Sequence, residues 1–445
     1  MFKNRHLRGV FIYYFPHMRI GIIGVGTVGS GVVEIIEQKR EEFHAKFGIL
    51  LEIAAVVAKT EEELAVFKEK GYKGFTDVSA VLEDESITVI CELAGGYELP
   101  FKWISKALEN GKHVVTANKA LLAKHGNEIF PLAEQKKCHV LFEAAIGGGI
   151  PIIRSLQESL LGNKVESLSC IINGTCNYIL TRMATEGLSF EEVLKDAQKL
   201  GFAEANPSFD VDGIDSAHKT AILASLCSGR FVDFEKIHVT GIRDLAAQDI
   251  QFIQELSGVV RLLGIYNRVG DKIDARVHPC IVPSDHLLAG VKYVLNAVYL
   301  QCDNLGPTLQ TGAGAGKLPT ASAVVADLIS LARSTEFGHR EPLQMGWFQK
   351  ENSAELVPIG ETCTRYYFRF VTKDNYGVLA KITGILGENQ ISIESILQKN
   401  TKNRDKVDIV VTTEKAKESS VQAALAKIDS LPEMSEKSRM LRFLE

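Results

Sequence analysis

The sequence predicts an α/β protein in three parts: a doubly wound parallel sheet, an α+β layer behind it, and a small βαββαβ module at the end. Three stretches carry that reading. An apolar strand at 18–23, MRIGII, runs straight into GVGTVG at 24–29 and then into a helical stretch. Short apolar segments then alternate with helical ones as far as residue 142, the rhythm of a parallel sheet with helices on both faces. Residues 363–445 read strand, helix, strand, strand, helix, strand, which is a split βαβ motif.

The chain has 445 residues, too many for one ordinary domain. It is 46% hydrophobic and 24% charged, with a net charge of -5, which argues against nucleic acid as the main partner. The 8 cysteines are scattered, with no Cys-x-x-Cys and no zinc-like spacing; reduced thiols and a cytoplasmic location are expected. No apolar run approaches the roughly 18 residues of a membrane span, so no membrane partner is expected. The first residues, MFKNRHLRGVFIYYFPH, are basic and then apolar. Their apolar part, Val10 to Phe15, is too short for a signal peptide and no small-residue cleavage site follows. The working chain is expected to begin near Met18, behind a disordered or misassigned leader.

Strand, G-x-G-x-x-G and helix (30–47) in immediate succession form a dinucleotide-binding fingerprint. Gly24 allows the tight turn, Gly26 lets backbone approach a pyrophosphate, and Gly29 lets helix pack on strand; Thr27 and Val28 open the helix whose N–H groups would hold the phosphates. The second strand, 51–58, ends without the acid that usually holds the adenosine ribose. Lys59 stands there instead and would accept a 2′-phosphate, so NADP is at least tolerated beside NAD. A helix near 62–70 and a strand near 87–93 lead to Ala94-Gly95-Gly96, at the carboxyl edge where such sheets bind ligands. A helix at 103–110 and a strand at 113–116 bring Lys119 to the same edge, either as an ordinary surface lysine or as a partner of substrate carboxylate and nicotinamide-side oxygens. The strand at 139–142 runs into Glu143 and Gly147-Gly148-Gly149, ahead of a helix at 152–160. One carboxylate with several free carbonyls suits a hard monovalent cation, but on the residues alone a glycine hinge is the preferred reading.

A strand at 165–173, a helix from Asn177 and a helix at 190–200 lead to KLGFAEANPSFDVDGIDSAHKTAILASLCS at 199–228. Its first half is a loop holding Gly201, Glu204 and the acids Asp210 and Asp212. Its second half is a helix from about Asp212, with one buried side formed by Ile214, Ala217, Ala221, Ile222, Ala224 and Leu226. Asp215 and Lys219, four apart, share a face. They are either a solvent-facing ion pair or, with Glu204 on the approach, a group that binds a small zwitterion and moves a proton. His218 and His278 lack partners at ligand spacing and read as structural, and Pro279 marks the strand at 276–282 as an edge. A strand near 293–301 precedes GAGAGKLPT at 312–320 and a helix at 321–332. That second glycine-rich loop suggests a return to the nucleotide layer, with Gly316 over the nicotinamide end. A polar linker, 336–362, separates the final module.

In this order the chain resembles the homoserine dehydrogenases over residues 18 to about 335. The carriers are GVGTVG at 24–29, TANKALLA at 116–123, FEAAIGGGIP at 142–151, NGTCNYIL at 173–180, LGFAEANPSFDVDGIDSAHK at 200–219 and GAGAGKLPTASAV at 312–324. The last module resembles an ACT domain, an amino-acid-sensing unit. The resemblance implies a Rossmann-type NAD(P)-binding domain at 18–140, completed by about 306–335, a catalytic and dimerisation domain at 141–305, and a ferredoxin-like ACT domain at 363–445. It also implies interconversion of L-homoserine and L-aspartate 4-semialdehyde, on the way to threonine, methionine and isoleucine. Lys219 would pass the proton, Asp215 would hold that lysine and bind substrate, Glu204 would receive the substrate ammonium, and Lys119 would assist near the nicotinamide. Gly201 and Gly316 would line the cofactor. Glu143, with the carbonyls of Ile146, Gly148 and Ile150, would hold a structural sodium ion, overturning the hinge reading. A homodimer or tetramer is expected, and L-threonine is the expected effector at Asp374, Asn375 and Gly377.

Two other readings are weaker. An aspartate-semialdehyde dehydrogenase needs an activated cysteine, and Cys176 lacks a clear histidine partner. A non-catalytic nucleotide and amino-acid sensor would have no use for Glu204, Asp215 and Lys219 together.

Overall fold

The computed structural model describes residues 17–336, 345, 348–398 and 406–445. The expected leader, residues 1–17, lies outside them except for His17, which opens the first strand, and part of the expected linker also lies outside. The chain falls into two compact units, one of Met1–Leu121, Glu128–Ala144 and Gly316–Gly346, the other of Leu122–Asn127, Ala145–Ala315 and Trp347–Glu445.

In the first unit β1 (His17–Ile23), β2 (Leu50–Val57), β3 (Gly74–Phe75), β4 (Val89–Glu92), β5 (His113–Thr116) and β6 (Val140–Leu141) form one parallel sheet in the order 3-2-1-4-5-6. The order reverses between β1 and β4, and such a switch point is where doubly wound sheets bind dinucleotides. The strands read as unbroken apolar runs because helices cover both faces: Ile20, Ile22, Val56, Val89, Cys91 and Val115 are fully buried. The late helix Lys317–Glu336 packs beside helix Thr27–Phe47 in this unit. It buries Ala321, Val324, Leu328, Leu331 and Ala332, the spacing of one helix face.

The second unit holds a mixed sheet. Its strands are β7 (Val165–Ile171), β8 (His238–Val239), β9 (Gly258–Val269), β10 (Lys272–Pro283), β11 (Leu295–Cys302) and β12 (Gly306–Ala313), then β14 (Tyr366–Thr372), β15 (Ile393–Gln398), β16 (Val407–Thr413) and β18 (Arg439–Phe443), with β13 (Cys363–Thr364) and β17 (Ala416–Lys417) as a separate small ladder. The sheet runs 12-11-7-9-10-18-14-16-15, with β8 beside β10. The strands β18-β14-β16-β15, with helices Val378–Glu388 and Glu418–Asp429, make the ferredoxin-like module. That module is no separate bead. Its strand β18 lies parallel to β10, pairing Cys280 with Arg442 and Ile281 with Phe443, so one sheet runs through both parts.

Three expectations change. Pro279 is not on an edge, because β9 flanks β10 on one side and β8 and β18 share the other. It lies in the gap between those two partners, which register at Arg276–Val277 and Cys280–Ile281, so a residue without an N–H interrupts neither short ladder. The described part of the linker is also held: Ala354 N donates to Phe231 O (2.8 Å), Ile273 N to Glu355 O (3.0 Å) and Val357 N to Ile273 O (2.9 Å). Finally, helix Ile214–Ser228 is buried on all sides from Asp215 to Ser225 rather than along one stripe. It can lie against β9 because Gly264 has no side chain; a Cβ there would stand 2.1 Å from Thr220 Oγ1.

Candidate active site

The three fingerprint glycines meet different surroundings. Gly24 has φ +94°, and a Cβ on it would stand 2.8 Å from Ala94 N, so the loop after β1 lies on the loop after β4. A Cβ on Gly29 would stand 2.0 Å from Gly24 O, inside the turn itself. Around Gly26 nothing lies within 4 Å. Backbone is therefore open to a pyrophosphate at Gly26, and the helix starting at Thr27 has no side-chain cap competing for its first N–H groups. The residues present fit a dinucleotide.

Beneath this edge lies a carboxylate that the sequence reading passed over. Glu92, wholly buried at the end of β4, accepts from Ala94 N (3.0 Å) and Thr116 Oγ1 (2.7 Å). Thr116 Oγ1 accepts from Asn118 N (3.0 Å), and Asn118 Nδ2 donates to Gly96 O (2.6 Å). Burial pushes the Glu92 carboxyl up, against the opposing pull of the hydrogen bonds from Thr116 and Ala94. The network fixes Ala94 and Gly95 relative to half-buried Lys119, the first residue of helix Lys119–Gln135, whose cap is Asn118. An acid closing the apolar run VIC, and an asparagine just before a helix, were the available signals. Lys59 is exposed beyond β2, and its N–H binds Glu63 (3.0 Å). Gly316, at φ +122°, accepts from Thr320 N (3.1 Å) and opens the late helix.

In the second unit Asp215 and Lys219 are buried, 3% and 7% exposed, which removes the surface-pair reading. Lys219 Nζ donates to Asp215 Oδ2 (2.8 Å) and to the main-chain oxygen of Ile172 (2.8 Å). Asn173, next in the chain, donates from Nδ2 to Asp215 Oδ2 (2.9 Å) and to Asp210 Oδ1 (2.7 Å), while its Oδ1 accepts from Cys176 N (2.8 Å). The turn out of β7 thus grips both members of the pair. Helix Gly174–Glu186 starts there, earlier than expected, because Asn173 caps it. Helix Ile214–Ser228 starts after Gly213, whose φ of +86° ends the short helix Ser208–Val211 and re-aims the chain.

Glu204 sits on the exposed loop after Gly201, and its carbonyl accepts from Gln198 Nε2 (3.0 Å). Gly201, at φ +75°, ends helix Phe190–Lys199. Cys176 is fully buried, and burial, with Asp210 and Asp215 adding to it, pushes its thiol well up; it is no nucleophile. His218 packs against the rings of Phe209 and Phe234 (centroids 5.5 and 4.4 Å). Among the described residues no cluster of three or more His, Cys, Asp or Glu side chains could hold a metal. In the Ile146–Ile150 turn, Gly147 and Gly148 have φ +69° and +56°, and the Ile150 oxygen already accepts from Ile152 N (2.8 Å). A cavity of about 510 Å³ in the last module is lined by Thr372, Asp374, Asn375, Gly377, Thr383 and Ile409. No described helix is long and apolar enough to cross a membrane.

Comparison with known proteins matches residues 24–143 to the family described as "Homoserine dehydrogenase, NAD binding domain", 151–329 to "Homoserine dehydrogenase" and 366–433 to "ACT domain". The chain is 40% identical to a homoserine dehydrogenase of Neisseria gonorrhoeae over 427 residues, 96% of this chain and 98% of that one. A crystal structure of a homoserine dehydrogenase from Thiobacillus denitrificans superposes with TM-score 0.91 at 40% identity, covering 96% of this chain and 98% of that one. A hyperthermophilic archaeal homoserine dehydrogenase in complex with NADPH gives 0.61 at 28% identity, over 73% of this chain and 99% of that one.

Proposed function

The chain belongs to the homoserine dehydrogenase family, and from that premise we propose which of its residues carry the reversible NAD(P)-dependent interconversion of L-homoserine and L-aspartate 4-semialdehyde. The observation that supports the assignment is the buried Lys219 ammonium. Asp215 Oδ2 and Ile172 O, each at 2.8 Å, hold that ammonium in place as a positioned proton donor. When bound, the nicotinamide ring gives or accepts the hydride. As the aldehyde is reduced, Lys219 donates a proton to its oxygen; as the alcohol is oxidised, neutral Lys219 takes that proton back. Asp215 orients the lysine and binds substrate. Glu204, an exposed carboxylate on the approach loop, receives the substrate ammonium, and Lys119 serves its carboxylate side.

Gly24, Gly26, Thr27, Val28 and Gly29 cradle the pyrophosphate, with Ala94, Gly95, Gly201 and Gly316 along the cofactor. Lys59, exposed beyond β2, would accept the 2′-phosphate of NADP, so NADP is taken beside NAD. A sodium ion is assigned to Glu143 and the carbonyls of Ile146, Gly148 and Ile150; carbonyl oxygens with one carboxylate are a hard donor set. The cavity beside Asp374, Asn375 and Gly377 is assigned to L-threonine as a feedback inhibitor, the assembly to a homodimer or tetramer, and the location to the cytoplasm.

Initial rates on L-homoserine with NAD+ and NADP+, for wild type and Lys219→Ala, test the reading. Turnover is lost in the variant while NADPH binding survives; a variant that keeps turnover overturns the role of Lys219. Rates unchanged by millimolar threonine at sub-saturating substrate overturn the effector assignment.

A further inference from the structure

The Lys219–Asp215 pair is buried, and a buried ion pair can collapse by moving its proton from ammonium to carboxylate, leaving both groups neutral. Such a collapse would place the working proton on the wrong residue. One neighbour opposes it. Asn173 Nδ2 donates to the same oxygen that Lys219 holds, Asp215 Oδ2 (2.9 and 2.8 Å), and its second hydrogen goes to Asp210 Oδ1 (2.7 Å). The orientation of the amide is fixed by chemistry, since Oδ1 turned toward two carboxylates would meet no hydrogen, whereas it accepts from Cys176 N (2.8 Å) as the helix cap.

We propose that Asn173 is a positioning residue for the reaction: by donating to Asp215 and Asp210 together it keeps Asp215 ionised, and so keeps the transferable proton on Lys219. The proposal rests on Lys219 being the proton carrier. A carboxylate that accepts an amide hydrogen is harder to protonate than one that does not. The other charged or titratable groups around Asp215 are Lys219 on its own helix, Asp210 on the short helix before it, Asp212 with its partner Arg243, and the Cys176 thiol from helix Gly174–Glu186. Of these, Lys219 donates to Asp215 Oδ2, the oxygen to which Asn173 also donates. Asn173 also ties the turn after β7 to the helix that carries the pair, since its own main chain continues from the Ile172 oxygen that holds Lys219.

Asn173→Asp separates the two roles of this side chain. It keeps an oxygen to cap Cys176 N, and it loses both donors to the carboxylates. Full-length wild type, Asn173→Asp and Asn173→Ala are compared for thermal midpoint and for the pH dependence of aspartate semialdehyde reduction. In Asn173→Asp the acid limb of kcat/KM moves up by about one unit or more, and kcat falls at least about tenfold while KM changes less. A wild-type limb and kcat in Asn173→Asp, with only the midpoint lowered in Asn173→Ala, overturns the proposal and leaves a helix cap. Should Asn173→Asp not fold, Asn173→Ser replaces it: the hydroxyl still caps the helix, and its one hydrogen cannot serve both carboxylates, so the same limb and the same kcat decide. Turnover retained in Lys219→Ala sinks the reading of the site itself; an inactive Lys219→Ala beside an unshifted Asn173→Asp sinks the positioning role alone.

Discussion

Arg369 of β14 grips Asp249 of helix Ala247–Glu255 with both ends of its guanidinium, Nε to Oδ1 at 2.6 Å and Nη2 to Oδ2 at 3.1 Å. Both residues are buried, and Tyr367 OH adds a third bond to Asp249 Oδ1 (2.9 Å). The ACT sheet is thereby tied to a helix of the catalytic layer, in addition to the β10–β18 pairing. Removing Asp249 leaves Arg369 with Asp408 Oδ1 (3.1 Å) as its remaining carboxylate and Tyr367 OH without its acceptor, at a cost of up to about 3 kcal/mol, the low end for a broken buried pair. Asp249→Ala should lower the urea midpoint accordingly. A change under about 1 kcal/mol would show that Asp408 alone compensates Arg369 and that the tie to Asp249 is weak.

Lys219→Ala removes the proposed proton carrier while sparing the apolar packing of its helix. The rate should fall by about 10²–10⁴, the usual worth of a positioned general acid or base. NADPH titration by fluorescence should give an unchanged affinity, because the proposed pyrophosphate cradle at Gly24–Gly29 does not include Lys219. Weakened NADPH binding in the variant would mean that its defect is not confined to proton transfer.

Two glycine substitutions in one loop should fail differently. Gly26→Ala adds a methyl group where nothing lies within 4 Å, so the fold stays intact and the KM for the dinucleotide rises. Gly29→Ala drives a methyl group to 2.0 Å from Gly24 O, so the loop must shift and thermal stability falls with cofactor binding. Equal thermal midpoints for the two variants would contradict the distinction.

The pair Asp215–Lys219 was legible because helix periodicity places residues four apart on one face, but its burial was not. Helix Ile214–Ser228 carries Ser216, His218 and Thr220 on sides that a periodicity count treats as solvent-facing, and the sheet and neighbouring helices cover them. Asn173 escaped the site reading because it lies 42 residues from Asp215, a contact only the fold creates. Five of the six strands of the nucleotide sheet were readable because they alternate with helices, whereas β3, only Gly74–Phe75, is too short to show a pattern. In contrast, β9 is buried on both faces over most of its length, which hides the alternation that marks a strand. The union of β10 with β18 was equally hidden, since alternation reveals a strand's faces and never its partner.

Glu418 supplies a pH-dependent part of the stability. It is 2% exposed and accepts from Arg442 Nε (2.8 Å) and Nη2 (2.7 Å), Tyr366 OH (2.8 Å) and Gln422 Nε2 (2.8 Å). Burial alone would push its carboxyl up, but Arg442, Gln422 and Tyr366 outweigh burial and hold it below its ordinary value. A carboxyl lowered in the folded state adds stability that is complete above the unfolded value, about 4.3, and is lost as the pH falls through the folded value. Glu418→Gln abolishes that titration and leaves Arg442 facing a neutral amide. The variant should therefore be less stable than wild type at neutral pH, by about 3 kcal/mol on the scale of a broken buried pair. The gap should narrow as acid protonates Glu418 in the wild type, because both proteins then present Arg442 with an uncharged partner. Urea midpoints measured from neutral pH down through the carboxylate range check this. A gap that stays constant across that range would mean that Glu418 holds β18 by shape and hydrogen bonding, with no contribution from its charge.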